Sequence, residues 1–77
     1  MMKYPNIEAE RVRAGLTRRH VALYLGVSRD VYCAWIDGQY PIPSNFCMGL
    51  SALFNCSVDY LLATDSRYER WRQYRAV

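Results

Sequence analysis

A chain of 77 residues has room for one domain with one hydrophobic core. Hydrophobic residues make up 52% of it, which excludes a chain that stays disordered for lack of apolar side chains. The net charge of +3 is unevenly placed, because residues 30–66 contain four Asp and no Lys or Arg. The basic residues therefore lie near the two ends of the chain. This pattern is explained either by a basic face that binds a polyanion or by an Arg-rich surface that is simply solvated.

Several classes of protein are disfavoured by the same sequence. The N-terminus lacks a signal pattern and no apolar run approaches ~20 residues, so we expect a cytoplasmic protein that makes no membrane contact. Cys33, Cys47 and Cys56 lack CxxC spacing, which favours small buried side chains over disulfides or a metal site. No nucleophile has a base partner, so we expect no catalytic residue, no enzyme and no cofactor.

Glycine and proline divide the chain into runs of helical length without strand alternation. The first helix is predicted to run from about Asn6 to Ala14, with Glu8 and Glu10 in its first turn. Gly15 follows it at a position that suits the left-handed conformation.

Two short helices follow. Thr17 is predicted to cap a helix over residues 18–25, which ends at Gly26. Ser28 is predicted to cap a third helix over residues 29–37, and a further glycine ends it. This arrangement predicts two helices joined by a turn of three residues.

The remainder of the chain also shows helical patterns. Ser44 is predicted to cap a fourth helix that runs to Phe54, and Ser57 a short fifth helix. A capping box at residues 66–69 predicts a sixth helix in the C-terminal extension, residues 66–77. The positions of the fourth helix expected to face the core are Cys47, Leu50, Leu53 and Phe54.

The segment from Arg18 to Trp35 has the features of a helix-turn-helix. Ala22 permits a close crossing of two helices, Gly26 permits a sharp turn, and Val27 is suited to fill the corner. Tyr32 and Trp35 lie three residues apart and are predicted to face the core. The opposite face of that helix carries Arg29, Asp30, Val31 and Ala34.

With these residues, the chain resembles the Cro and phage-repressor family of helix-turn-helix domains, also called the xenobiotic-response-element family, over residues 7–62. The matching motifs are Gly15-Leu16-Thr17, Val21-Ala22, Leu25-Gly26-Val27-Ser28-Arg29, Trp35, Gly38, Ile42-Pro43 and the string from Leu53 to Leu62. The resemblance implies an all-α, five-helix, repressor-like domain over residues 1–65. It also implies a dimer that reads pseudo-palindromic double-stranded DNA with its third helix in the major groove.

The resemblance implies DNA contacts on both helices and on the following loop. The residues that match the family's contact positions are Arg18, Ser28, Arg29, Asp30, Ala34, Gln39 and Tyr40, and their chemistry adds Arg19 and Val31 as further candidates. Arg18 and Arg19 are assigned to phosphate, and the backbone around Gln39 and Tyr40 to the phosphate-contacting loop. Arg29 is the expected base reader, because a guanidinium bonds guanine O6 and N7 together.

Other residues of the third helix have several possible roles on DNA. Asp30 is suited either to accept from cytosine N4 or to hold Arg29 in place. Val31 is suited to a thymine methyl group, and Ala34 offers shape or apolar contact only.

The chain departs from the family pattern in two ways that bear on the site. The loop after Gly38 lacks the usual Lys and Arg, which removes phosphate contacts. Ile36 stands where the family usually has the Glu that pairs with the residue matched here by Arg11. We therefore expect Arg11 to pair with Asp37 or with the carbonyl groups that end the third helix.

Two functions remain open on this sequence. The first is a transcriptional regulator of phage, prophage or mobile-element type that binds DNA as a homodimer. The alternative is a protein-interaction module, such as an antitoxin that holds a protein partner. Because the third helix is nearly neutral and the following loop is uncharged, this sequence favours the alternative more than the sequence of a typical family member does.

Overall fold

A computed structural model describes residues 2–64 of the chain and leaves Met1 and residues 65–77 undescribed. The described residues form five helices and no strand: α1 Pro5–Arg13, α2 Arg18–Leu25, α3 Arg29–Ile36, α4 Ser44–Phe54 and α5 Val58–Leu61. The predicted all-α, five-helix fold is confirmed. The predicted sixth helix, with its capping box at residues 66–69, lies outside the described residues. No helix within residues 2–64 combines the length and apolar character needed to cross a membrane.

Side-chain caps begin three of the helices, as the sequence predicts. The hydroxyl groups of Thr17, Ser28 and Ser57 accept hydrogen bonds from the amide three residues later, at 3.1, 3.1 and 3.2 Å. Each cap satisfies one of the amides that an α-helix leaves unpaired at its start. The His20 side chain returns the first of these bonds by accepting from the Thr17 amide at 3.4 Å.

Helix boundaries differ from the predictions at several places, one of which is the end of α1 at Arg13 rather than at Ala14. Ser44 is not a cap, because it is the first helical residue and Pro43 precedes it without a side-chain cap bond. Helix α1 begins one residue early at Pro5, since a proline ring fixes φ near the helical value. Helix α3 ends at Ile36, one residue earlier than predicted.

One cluster of side chains packs at the centre of the described helices. It consists of Ile7, Val21, Ala22, Tyr32, Ile36, Leu50, Phe54, Cys56, Tyr60 and Leu61. Trp35 is also buried and lies against Phe46, with ring centroids 4.9 Å apart. Tyr32 and Trp35 therefore face the core, as predicted, and Tyr60 is buried with them. Of the three cysteines, Cys47 and Cys56 are buried and Cys33 is half-buried.

Helix α5 is attached to α1 by polar contacts as well as by apolar packing. The Asn6 amide Nδ2 donates to the Tyr60 carbonyl at 2.9 Å, and the Tyr60 hydroxyl donates to Glu10 at 2.8 Å. Glu10 also pairs with Arg13. Burial and the bond to the Glu10 carboxylate raise the pKa of Tyr60 to about 12. These contacts fix the end of the described chain beside the first helix.

The turn between α2 and α3 depends on the backbone of Gly26. Its φ of 78° and ψ of 28° lie in the left-handed region, as predicted. The Gly26 amide donates to the Leu23 carbonyl at 3.1 Å, and the Val27 amide donates to the Ala22 carbonyl at 3.0 Å. This pair of bonds ends the helix and turns the chain sharply towards α3.

We expect Gly26→Ala to lower the free energy of unfolding by about 1–2 kcal/mol, the cost of a Cβ atom in the left-handed conformation. The added Cβ would meet no other atom within 4 Å, so the loss reports backbone strain alone. Gly26→Asn is the control, because Asn tolerates this conformation and should recover part of the loss. Urea denaturation of the three proteins measures both, and equal losses for Ala and Asn would contradict the backbone explanation.

Candidate nucleic-acid interface

The paired helices α2 and α3 present one continuous outer surface. Val21 and Ala22 of α2 and Tyr32 and Ile36 of α3 are buried, so the opposite sides of both helices face solvent. The small Ala22 side chain is 2% exposed, which fits its predicted place at the helix crossing. Val27 in the turn is partly buried against the core, as the helix-turn-helix pattern predicts.

Most of the sequence-predicted contact residues lie on this surface. On α2, the turn and α3, the predicted residues Arg18 and Ala34 are half-buried. The others there are exposed, namely Arg19, Ser28, Arg29, Asp30 and Val31. A concave region of about 330 Å³ between the two helices brings Arg19, Ser28 and Arg29 together. Gln39 and Tyr40 are exposed in the loop after α3. The Gln39 amide donates to the Ala34 carbonyl at 2.9 Å, so the loop is attached to α3.

In the described part of the chain, two of the three arginines on this surface are not paired with an acid, since Arg18 alone pairs, with Glu8. Within residues 2–64, neither Arg19 nor Arg29 takes part in an ion pair, and Asp30 does not bond to Arg29. The Ser28 hydroxyl accepts from the Val31 amide, which leaves its own hydrogen available for donation. The N-terminal end of α3 therefore presents the Arg29 guanidinium, which has no ion pair within residues 2–64, beside the Ser28 hydroxyl donor.

A buried carboxylate behind this surface joins three helices. The Glu8 side chain, 7% exposed, accepts from Arg11 Nε at 2.9 Å, from Arg18 Nε at 2.9 Å and from the Tyr32 hydroxyl at 2.8 Å. These partners lie on α1, α2 and α3 respectively. We call Glu8, Arg11, Arg18 and Tyr32 the Glu8 cluster. It fixes the relative positions of the two helices that carry the exposed surface.

The electrostatics of the Glu8 cluster favour its charged form. Burial by itself raises the pKa of the Glu8 carboxyl, but the bonds from Arg11, Tyr32 and Arg18 outweigh it and hold the pKa below the ordinary 4.5. Burial and the bond to Glu8 raise the pKa of the Tyr32 hydroxyl. One carboxylate and two guanidinium groups leave the cluster with a net charge of −1 + 2 = +1. Arg18 thus keeps a positive field at the start of α2 although it is paired.

The predicted pairing of Arg11 with Asp37 or with the end of α3 is wrong. Arg11 instead bonds to Glu8 and donates to the Leu16 carbonyl at 2.7 Å. Glu8 lies one turn before Arg11 on the same helix, where side chains three residues apart meet. Ile36, at the position where the resembled family has Glu, is fully buried in the core. The carboxylate that pairs with Arg11 therefore comes from α1 rather than from α3.

Sequence reasoning missed Glu8 because acids in the first turn of a helix are usually explained by the helix dipole. The spacing Glu8–Arg11 was the available signal, since it places the two groups on one face of α1. The contacts from Arg18 and Tyr32 had no such signal, because they join residues that are 10 and 24 positions apart. Arg18 also donates to Cys33 Sγ at 3.4 Å, which ties the start of α2 to α3 a second time.

The N-terminal residues hold the loop that follows α3. The Lys3 amide donates to the Ile36 carbonyl at 2.7 Å, at the end of the helix. Gly38 has a φ of 78°, and a Cβ atom there would lie 2.9 Å from Lys3 Cβ. The close approach of Lys3 to Gly38 brings one basic residue to a loop that has none of its own. Sequence reasoning did not assign Lys3 to this place.

Comparisons of the chain with protein-family models, with curated proteins and with solved structures found no match.

Proposed function

We propose that this protein is a sequence-specific DNA-binding regulator of transcription, of the phage, prophage or mobile-element type, which places α3 in the major groove. The observation that carries the proposal is the unpaired Arg29 at the exposed start of α3, beside Arg19 and Ser28. An α-helix fits the major groove, and a guanidinium there reads guanine through two hydrogen bonds. The resemblance of the sequence to repressor domains supports the same function.

In this proposal, two groups of residues have different tasks on DNA. Arg29 and Val31 contact base edges, the first at guanine and the second, 40% exposed, at a thymine methyl group. Arg18, Arg19 and the loop at Gln39 contact phosphate, which positions the protein without reading sequence. The net positive Glu8 cluster behind Arg18 adds to the attraction for phosphate.

The size of α3 supports a homodimer. Eight residues of α-helix are about 12 Å long, which covers only about three to four base pairs in the groove. Two copies related by a two-fold axis read twice that length, and such dimers match palindromic sites. A protein with this task works in the compartment that holds the DNA, which for a phage or bacterial regulator is the cytoplasm.

A second function, binding to a protein partner as an antitoxin does, is favoured by one observation. Leu23 lines the same concave region as Arg29 and is 67% exposed, and the neighbouring Tyr24 is 56% exposed. Exposed apolar side chains on an interaction surface are more typical of protein partners than of DNA.

Selection of bound sequences from a random pool of double-stranded DNA tests the proposal. We expect an enriched palindrome whose half-sites are about 10 base pairs apart, one turn of DNA. We expect Arg29→Ala to lose enrichment at one position of each half-site. A pool that yields no preferred sequence at several salt concentrations would contradict DNA recognition, and a second protein chain that purifies in stoichiometric amounts would favour the alternative.

A further inference from the structure

An apolar groove runs along α1 and reaches Arg18 at the start of α2. Its apolar lining consists of Met2, Pro5, Ala9 and Val12, and its volume is about 710 Å³. Val12 is 65% exposed and Met2 is 46% exposed. We call this feature the α1 groove. An apolar groove of this kind on a small domain is a candidate interaction surface.

We propose that the chain's own C-terminal segment, residues 66–77, docks in the α1 groove. The groove shares Arg18 with the proposed DNA surface, but it includes neither Arg19 nor Arg29. Docking gives the segment a task inside the domain, namely to cover apolar surface that the five helices leave exposed.

The path of the chain favours this occupant. Helix α5 lies against α1 through the bonds from Asn6 to Tyr60 and from Tyr60 to Glu10, and the described chain ends three residues after α5. Arg13 pairs with Glu10 and also lines the α1 groove, so the groove borders the place where α5 is held. The described chain therefore ends on a helix that packs against α1, the helix that forms the groove. Thirteen residues, 65–77, extend up to about 43 Å, while α1 is about 13 Å long.

The chemistry of the segment also suits the groove. Tyr68, Trp71 and Tyr74 recur at every third residue, and each aromatic side chain has about 150–250 Å² of surface to bury. Arg13 and Arg18 also line the groove. A guanidinium group whose edge is occupied by hydrogen bonds can still stack its flat face on an aromatic ring.

A tethered segment has an advantage over a second copy or another protein. Tethering within one chain gives a binding segment an effective concentration of the order of millimolar, above the concentration of most separate partners. The segment therefore occupies the groove first unless another occupant binds far more tightly.

A double-mutant cycle in the full-length chain tests the docking. Val12→Asp and Trp71→Ala are each expected to lower the equilibrium constant for folding by about tenfold, and the double variant by clearly less than the product of the two. Met48→Asp is the matched control, because Met48 is 69% exposed on α4 and lies outside the groove. It should show no coupling to Trp71→Ala.

Limited trypsin digestion provides a second measurement that does not need the variants to be equally stable. Arg70 and Arg72 should be cleaved faster in Val12→Asp than in Met48→Asp, because only the former releases the segment. Should Val12→Asp fail to fold, Val12→Ser replaces it in both measurements.

Three outcomes decide the proposal. Coupling that does not change with protein concentration, in a protein whose mass by sedimentation is unchanged by the variants, supports docking within one chain. Additive effects of Val12→Asp and Trp71→Ala would overturn it. Coupling that appears only at concentrations at which two chains associate would also overturn it, because the groove would then hold a segment of the second copy. None of these readouts involves DNA, so they stand apart from the test of DNA binding.

Discussion

Glu8→Gln is expected to lower the free energy of unfolding by about 2–3 kcal/mol at neutral pH. The change leaves Arg11, Arg18 and Tyr32 without the carboxylate to which all three donate. Removing one member of a fully buried pair costs about 3–5 kcal/mol, and the loss is smaller here because both guanidinium groups reach solvent. Urea denaturation measures the difference, and Asp59→Asn, which neutralises an exposed acid on α5, is the control.

The same variant should change how stability depends on pH. The pKa of Glu8 in the folded protein lies below its ordinary value of 4.5, so its contribution is fully present above pH 4.5. It is lost as the pH falls through the lower pKa of the folded state. The difference in stability between the natural protein and Glu8→Gln should therefore shrink in acid. A difference that stays constant down to pH 2 would contradict the ion-pair role of Glu8.

Arg29→Ala is expected to weaken binding to the selected operator by about 5- to 150-fold, equivalent to about 1–3 kcal/mol. Binding to random-sequence DNA should change much less, because base contacts contribute little to it. The reason is that Arg29 is exposed, is unpaired within residues 2–64, and lies at the start of the helix assigned to the groove. Fluorescence anisotropy on matched operator and scrambled duplexes measures both affinities.

Two further substitutions separate base reading from general charge. Arg18→Ala should weaken operator and scrambled DNA alike and reduce the slope of log affinity against log salt by about 1. Arg13→Gln removes the same charge from α1, outside the two helices assigned to DNA, and should leave the preference for the operator unchanged. If Arg29→Ala and Arg18→Ala have the same effect on both duplexes, α3 is not the helix that reads the sequence.

The fold was largely predictable because its determinants are local. Thr17, Ser28 and Ser57 bond to amides three residues away, and Gly26 adopts a conformation that few other residues tolerate. Such signals lie within one turn of chain and can be read without knowing the tertiary structure. The error at Ser44 has the same origin, since its sequence pattern does not distinguish a capping residue from the first residue of the helix.

The supporting structure behind the candidate site was not predictable in the same way. The exposed positions of α3 follow from helical periodicity, because Tyr32 and Trp35 have to face the core. The partner of Arg11 depends instead on which acid is closest after three helices have packed. The resemblance suggested an acid near the end of α3, whereas Glu8 on α1 already lies beside Arg11. Which acid pairs with an arginine depends on the length of the two side chains and on how the helices pack. Neither can be read from the order of residues.

The attachment of Lys3 to the end of α3 has a practical consequence for handling the protein. The amides of Lys3 and Tyr4 both donate to the Ile36 carbonyl, at 2.7 and 3.4 Å, and the Lys3 side chain lies on Gly38. A truncation that removes Lys3 and Tyr4 deletes these bonds and the contact with Gly38. A tag joined through a flexible spacer leaves both amides able to make the bonds, and it is the version that should be used when affinities are compared.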